Sequence, residues 1–229
     1  MLGWSELPID RLLVDVSLWS ADLANLESAI RRMAQWADSF HLDAADGHFV
    51  RSLLFFPDLI RALRPHTAAP FHVHLMADRP SELAGEFLAA GADLLTVHVE
   101  NGEPEAGRAI EQALRRGRGA GVALQLETPV GAAAPYLDSV ELIILLGTAV
   151  GVKGCDLAPT ACDRLREARA LLGGRRVRLV ADGGIRRHTV PRLHAAGANA
   201  VVPGSLVFQS TDLTSTFAWL RGHSTPADV

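Results

Sequence analysis

The chain has 229 residues, 48% hydrophobic and 21% charged, with a formal net charge of −4. That balance suits one globular domain with a large core and offers no basic surface for a nucleic acid. Cys155 and Cys162 are too few for a disulfide framework and are not spaced as a zinc knuckle. Asp10, Arg11 and Asp15 interrupt the first apolar stretch, so neither a signal peptide nor a membrane span is expected. A cytoplasmic protein with no membrane or nucleic-acid partner follows as the expectation.

Short apolar runs alternate with longer amphipathic ones. In chain order, strands are expected at 12–17, 39–43, 71–75, 94–99, 121–125, 142–146, 178–181 and 200–202. Between the first two lies a helical pattern over 21–36, with Leu23, Leu26, Ile30, Met33 and Ala34 recurring three or four apart and Ser20 or Asp22 placed to cap it. Strand–helix alternation repeated eight times predicts parallel strands with crossover helices. The strands are almost continuously apolar, as when both sheet faces are covered. Periodicity alone leaves a doubly wound open sheet and a barrel both standing. An internal echo favours the barrel: Ala89-Ala90-Gly91-Ala92-Asp93 and Ala195-Ala196-Gly197-Ala198-Asn199 each read as a helix end, a glycine cap and a turn into a strand. No linker divides the chain, so a single (β/α)8 barrel domain over 1–229 is expected, with a frayed tail at 222–229.

Residues able to bind metal or move protons gather at the strand ends. The second strand ends in His41-Leu42-Asp43, and the third carries His72-Val73-His74. His98 and Glu100 lie on the fourth, and Asp182 precedes Gly183-Gly184 after the seventh. Alternation points His41 and Asp43 to one face, and inward residues at C-terminal strand ends converge on a barrel's catalytic mouth. Two His and two Asp from three strands would make a mixed N/O metal site, suited to Zn²⁺, Mn²⁺, Fe²⁺ or Co²⁺ more than Mg²⁺. Taken singly, each His reads more readily as a hydrogen-bonded core or rim residue, and Asp182 as a turn former; the combination is stronger than its parts.

Ser17-Leu18-Trp19-Ser20-Ala21-Asp22, the run from His41 to Val50, His74-Leu75-Met76, Thr96-Val97-His98-Val99-Glu100, Asp182-Gly183-Gly184 and Gly204-Ser205 resemble the ribulose-phosphate 3-epimerases, in order and over nearly the whole chain. The resemblance implies a TIM barrel of the ribulose-phosphate-binding type. It implies one divalent metal per chain, with Zn first and Fe, Mn or Co as alternatives, held by His41, Asp43, His74 and Asp182. Asp43 and Asp182 then form the acid/base pair, inverting carbon 3 of a ketose phosphate through a cis-enediolate. Ser17, Met76, Gly151, Gly154, Gly183, Gly184, Gly204 and Ser205 match positions around the sugar phosphate. A homo-oligomer, dimer or hexamer, is also implied.

Departures cluster around the substrate. Ala45 and Leu146 stand where the family usually has methionine, and Arg51-Ser52 replaces its Pro-Asn. The run from Leu146 to Cys155 lacks the family's Asn-Pro and one phosphate-side glycine, though Lys153 offers a cation there. Loss of bulk at Ala45 makes a hexulose or heptulose phosphate a candidate substrate, unless Trp19 or Phe55 refills the space. A lyase on the same barrel would need an Asp-x-Lys-x-x-Asp run, which the second and third strands lack. A non-catalytic sugar-phosphate-binding barrel is the other competing reading.

Overall fold

Eight parallel strands close on themselves in chain order. They are β1 (Leu13–Ser17), β2 (Ser39–Ala45), β3 (Phe71–Met76), β4 (Leu94–His98), β5 (Gly119–Leu124), β6 (Leu142–Leu146), β7 (Arg178–Asp182) and β8 (Ala200–Val202). β8 returns to β1 with Leu13 opposite Ala200. The structure is a computed structural model and describes residues 4–223. Among these, the helices are α1 (Leu26–Met33), α2 (Pro57–Leu63), α3 (Pro80–Ala90), α4 (Glu103–Arg115), α5 (Ala161–Leu172), α6 (Val190–Ala195), α7 (Ser205–Phe208) and α8 (Leu213–Arg221). Closure excludes the open doubly wound sheet and makes the fold a (β/α)8 barrel.

Each strand is buried on both faces. Outward residues such as Val14, Val16, Phe40, Leu42 and Val73 join the helices in one large apolar cluster. Inward residues, including Leu13, Leu94, Ile144 and Val180, form a second cluster with Trp4 and Leu7. The Trp4–Leu7 segment closes the N-terminal end of the barrel. Arg178 Nη2 donates to Leu7 O at 2.6 Å, and Trp4 meets His72 edge-on with ring centroids 5.2 Å apart.

Two elements differ from the periodic reading. The expected helix over 21–36 is confined to Leu26–Met33, preceded by a 3-10 turn at Leu18–Ser20. Asp22 does not cap it: its carboxylate accepts from Ala24 N at 3.0 Å and Asn25 Nδ2 at 2.7 Å, an alternative to helix that Asp readily offers. Ser20 is not the cap either, because Asn25 occupies that position, and Leu23 is left 52% exposed. Leu26, Ile30 and Met33 are the buried stripe, each contributing roughly 1.5–3 kcal/mol. Between β5 and β6 the crossover is 3-10 at Val130–Tyr136, with Pro135 inside, because proline removes an amide donor and clashes in an α-helix.

The glycine echo is seen in the backbone. Gly91 and Gly197 both have left-handed φ, +115° and +109°, where α3 and α6 end. Of the expected frayed tail, residues 224–229 lie outside the described part. Leu12 N donates to His223 O at 2.9 Å, which ties the chain to β1 up to that residue.

Candidate active site

The pleat of β2 sends His41 and Asp43 into the barrel, and the neighbouring β3 sends His74 in beside them, with Asp43 and His74 in register. β7 delivers Asp182 from across the mouth. His41 Nε2 lies 3.2 Å from Asp43 Oδ1 and 3.9 Å from Asp182 Oδ2, and His74 Nδ1 lies 3.4 Å and 3.8 Å from the same two atoms. Ser17, at the end of β1, donates to Asp43 Oδ2 at 3.1 Å.

One layer deeper is a carboxylate outside the expected set of site residues. Asp15 is fully buried, and its Oδ2 accepts from His41 Nδ1 at 2.9 Å and His72 Nδ1 at 2.6 Å. Its Oδ1 accepts from Ser39 Oγ at 2.6 Å, while Thr96 Oγ1 donates to His72 Nε2 at 2.7 Å. His72 therefore belongs to this lower layer and not to the mouth. The signal was available: Asp15 interrupts an apolar strand in the same phase as Ser17.

Electrostatics separates the two carboxylates at the mouth. Burial opposes ionisation of Asp43, but the charge and hydrogen bond of His41, with His74 adding, hold its carboxyl well below the usual range. Asp182 is raised to about 6: burial is the largest cause and outweighs the pull of His41, with the negative charge of Asp43 adding to it. His41 stands well above its ordinary value because Asp43 and Asp15 outweigh the effect of its burial.

This donor set fits a divalent cation. His74 Nδ1 is buried without a hydrogen-bond partner, and one donor atom from each of His41, Asp43, His74 and Asp182 lies within 4.8 Å of the others. Tetrahedral N/O coordination at about 2.1 Å spaces donors about 3.4 Å apart, close to the shorter contacts here. His41 presents Nε2 because Asp15 engages Nδ1, the carboxylate–histidine arrangement common behind metal ligands.

A cavity of about 310 Å³ opens above the His/Asp group. Ser17, Met76, Gly151, Gly154, Gly183, Gly184, Gly204 and Ser205 all line it, as do Trp19, Thr148, Arg186 and Gln209. Gly183 has φ +90°, and a Cβ there would lie 2.4 Å from Thr148 Oγ1; one on Gly204 would lie 2.1 Å from Ser20 Oγ. These glycines let the loop after β7 approach the one after β6, and the loop after β8 approach the one after β1, at the end of the cavity away from β2 and β3. Lys153 reaches the rim, donating from Nζ to Trp19 O at 3.0 Å. Ala45 is not among the residues lining the cavity: it packs with Val50 and Met76, and Phe49, Leu54 and Val150 close over them. Asp46 sets the turn above it, accepting from His48 N and Phe49 N at 2.8 and 2.9 Å. Leu146 does line the wall. Glu100 lies just past β4, in the 3-10 turn Val99–Asn101.

Paired carboxylates and imidazoles at the C-terminal rim of a closed parallel barrel define an α/β-barrel enzyme. The pattern of the Ribulose-phosphate 3 epimerase family matches residues 13–208. Ribulose-phosphate 3-epimerase of Treponema pallidum is 38% identical over 205 residues, 85% of this chain and 90% of that one. The Bacillus subtilis enzyme is 33% identical, covering 90% and 96%, and that of Escherichia coli K12 is 33% identical, covering 91% and 94%. The chain belongs to the ribulose-phosphate 3-epimerase family and is an epimerase, hence an isomerase. A solved 3-hexulose-6-phosphate synthase shares the fold at TM-score 0.66 and 19% identity, covering 93% of this chain and 98% of that one. Orotidine 5'-phosphate decarboxylase from Pyrococcus horikoshii does so at 0.65 and 14%, covering 91% and 97%.

Proposed function

We propose that the protein inverts carbon 3 of a ketose phosphate by proton transfer between Asp43 and Asp182, with His41, Asp43, His74 and Asp182 holding one divalent cation. The observation that carries this is the pairing of two carboxylates, on β2 and β7, whose environments drive their proton affinities apart, the arrangement that acid/base pairs require. Ionised Asp43 removes the proton from carbon 3 on one face of the sugar. Asp182, in its acid form, delivers a proton to the other face, and the reverse reaction exchanges the two roles. Between the transfers the substrate is a cis-enediolate. A bound divalent cation supplies Lewis-acid stabilisation of the charge that develops on the substrate oxygens. Zn²⁺ is the first choice for two imidazoles and two carboxylates, with Fe²⁺, Mn²⁺ and Co²⁺ also compatible. Ser17 holds the Asp43 carboxylate in place through its hydroxyl. The glycine-lined end of the cavity, flanked by Arg186, receives the phosphate.

Ribulose 5-phosphate is the first substrate to try. Ala45 lies behind the cavity wall, packed on Val50 and Met76, and Leu146 forms part of that wall, so hexulose and heptulose phosphates stay in the panel. The deciding experiment incubates the Zn²⁺-loaded protein in D₂O with ketose phosphates of five, six and seven carbons and follows carbon 3 by NMR. Deuterium at carbon 3 together with a new epimer is expected. Binding without exchange would instead establish the non-catalytic sugar-phosphate barrel, and carbon–carbon cleavage would establish the lyase.

A further inference from the structure

His98 and Glu100 are titratable side chains beside the active site that the proton transfers leave unused. His98 is fully buried at the end of β4, with the Phe49 ring tilted against it at 4.7 Å. Its Nε2 lies 2.9 Å from His74 Nε2, and its Nδ1 lies 2.9 Å from Glu100 Oε2. Two imidazole nitrogens at that distance require one donor and one acceptor. A neutral His74 that directs the Nδ1 lone pair at a cation carries its only ring proton on Nε2. It must then donate to His98 Nε2. His98 consequently keeps its own proton on Nδ1 and donates it to Glu100. One carboxylate thus determines two tautomers in succession.

Glu100 is itself anchored. Its Oε1 accepts from Gln125 N at 2.8 Å and from the Thr128 hydroxyl. Arg164, from α5, clamps the same loop by donating to Gln125 O at 2.8 Å and Thr128 O at 2.6 Å. The line from His74 to this loop crosses from β3 through β4 to the residues after β5. It parallels the shorter contact from His41 to Asp15.

We propose that Glu100, acting through His98, is a positioning residue that fixes the tautomer and ring plane of His74 and thereby sets the affinity of the His41–Asp43–His74–Asp182 group for a divalent cation. This rests on the reading above that His74 is a metal ligand. Outer partners of ligating histidines typically change metal affinity by about 10–100-fold when removed.

The test measures Zn²⁺ affinity by competition with a chromophoric chelator, and the visible absorption of the Co²⁺ form, in wild type, Glu100→Leu, His98→Leu and Thr128→Val. Glu100→Leu and His98→Leu are expected to weaken Zn²⁺ binding about 10–100-fold and to shift the Co²⁺ bands. Thr128→Val, which removes one Glu100 partner and leaves the Glu100–His98 contact, is expected to lower the urea midpoint and to weaken Zn²⁺ binding less than either leucine variant. Nitrogen NMR of the Zn²⁺-loaded wild type, which depends on no variant folding, should find His74 protonated at Nε2 and His98 at Nδ1. Wild-type affinity and spectrum in both leucine variants, or a His98 proton on Nε2, would overturn the assignment. A wild type that takes up no stoichiometric Zn²⁺ would remove the metal-site reading and this one together, whereas intact binding in the variants removes only this one.

Discussion

Asp43 and Asp182 are the same side chain in two settings, and the proposed division into proton acceptor and proton donor rests on the difference between the settings. Asp43 faces His41, His74 and the Ser17 hydroxyl, while Asp182 meets burial and its neighbour's negative charge. Replacing either by asparagine keeps the shape and removes the proton-transfer group. We expect Asp43→Asn and Asp182→Asn each to lower kcat about 10²–10⁴-fold, with unchanged circular dichroism and loss of deuterium entry at carbon 3. At Gly183 the constraint is steric. With φ at +90° and Thr148 Oγ1 2.4 Å from an added Cβ, Gly183→Ala should lose about 1–3 kcal/mol in urea unfolding and raise KM by displacing the Thr148 loop.

At the scale of elements, the two ends of the barrel carry different duties. Below the core, Asp93 opens β4 and accepts from Arg64 Nη1, Arg118 Nη1 and Phe71 N, at 2.8, 2.8 and 2.9 Å. Asp93→Ala would leave two arginines without their buried anion, at a cost of about 3–5 kcal/mol. Because this cluster sits at the N-terminal end, KM and kcat of the folded fraction should stay at wild-type values. A fall in kcat equal to that of Asp43→Asn would contradict this division. At the other end, Glu100 joins the turn after β4 to the loop after β5. Burial raises its carboxyl, but the His98, Thr128 and Gln125 hydrogen bonds prevail and bring it from 4.5 to about 2. A lowered folded value means that the unfolded chain binds this proton more readily. The contribution, roughly 3 kcal/mol, is complete above the ordinary glutamate value and is lost as pH falls towards 2. The stability gap between wild type and Glu100→Gln, read from urea midpoints, should therefore be largest near neutrality and narrow below pH about 4. A gap constant between pH 7 and pH 3 would show that Glu100 acts without its charge. The helices show the limits of periodicity: residues 21–25 continue the apolar spacing of α1, but the Asp22 carboxylate satisfies Ala24 N locally and holds them outside it.

For the whole molecule, the homo-oligomer that the family resemblance implies has a direct measurement. Leu23, Leu53 and Phe56 are 52%, 81% and 56% exposed, apolar area that association would take out of water. Light scattering is expected to give a multiple of 24.5 kDa, and a monomer mass at micromolar concentration would overturn the expectation. The strands, their parallel order and the inward phase of His41, Asp43 and His74 follow from the chain alone, because alternation with a period of two and continuous apolarity are local properties. Closure was expected from the glycine echo and the family resemblance, and periodicity did not decide it, since β8 pairs with β1 across nearly the full length of the chain and no local pattern encodes that contact. Tertiary structure alone decided that Asp15 and His72 form a buried layer beneath the mouth, that Ala45 packs with Val50 and Met76, and that Glu100 stands behind His74 through His98. Such partners come from different strands and are set by register around the barrel, a long-range geometry that residue spacing does not contain.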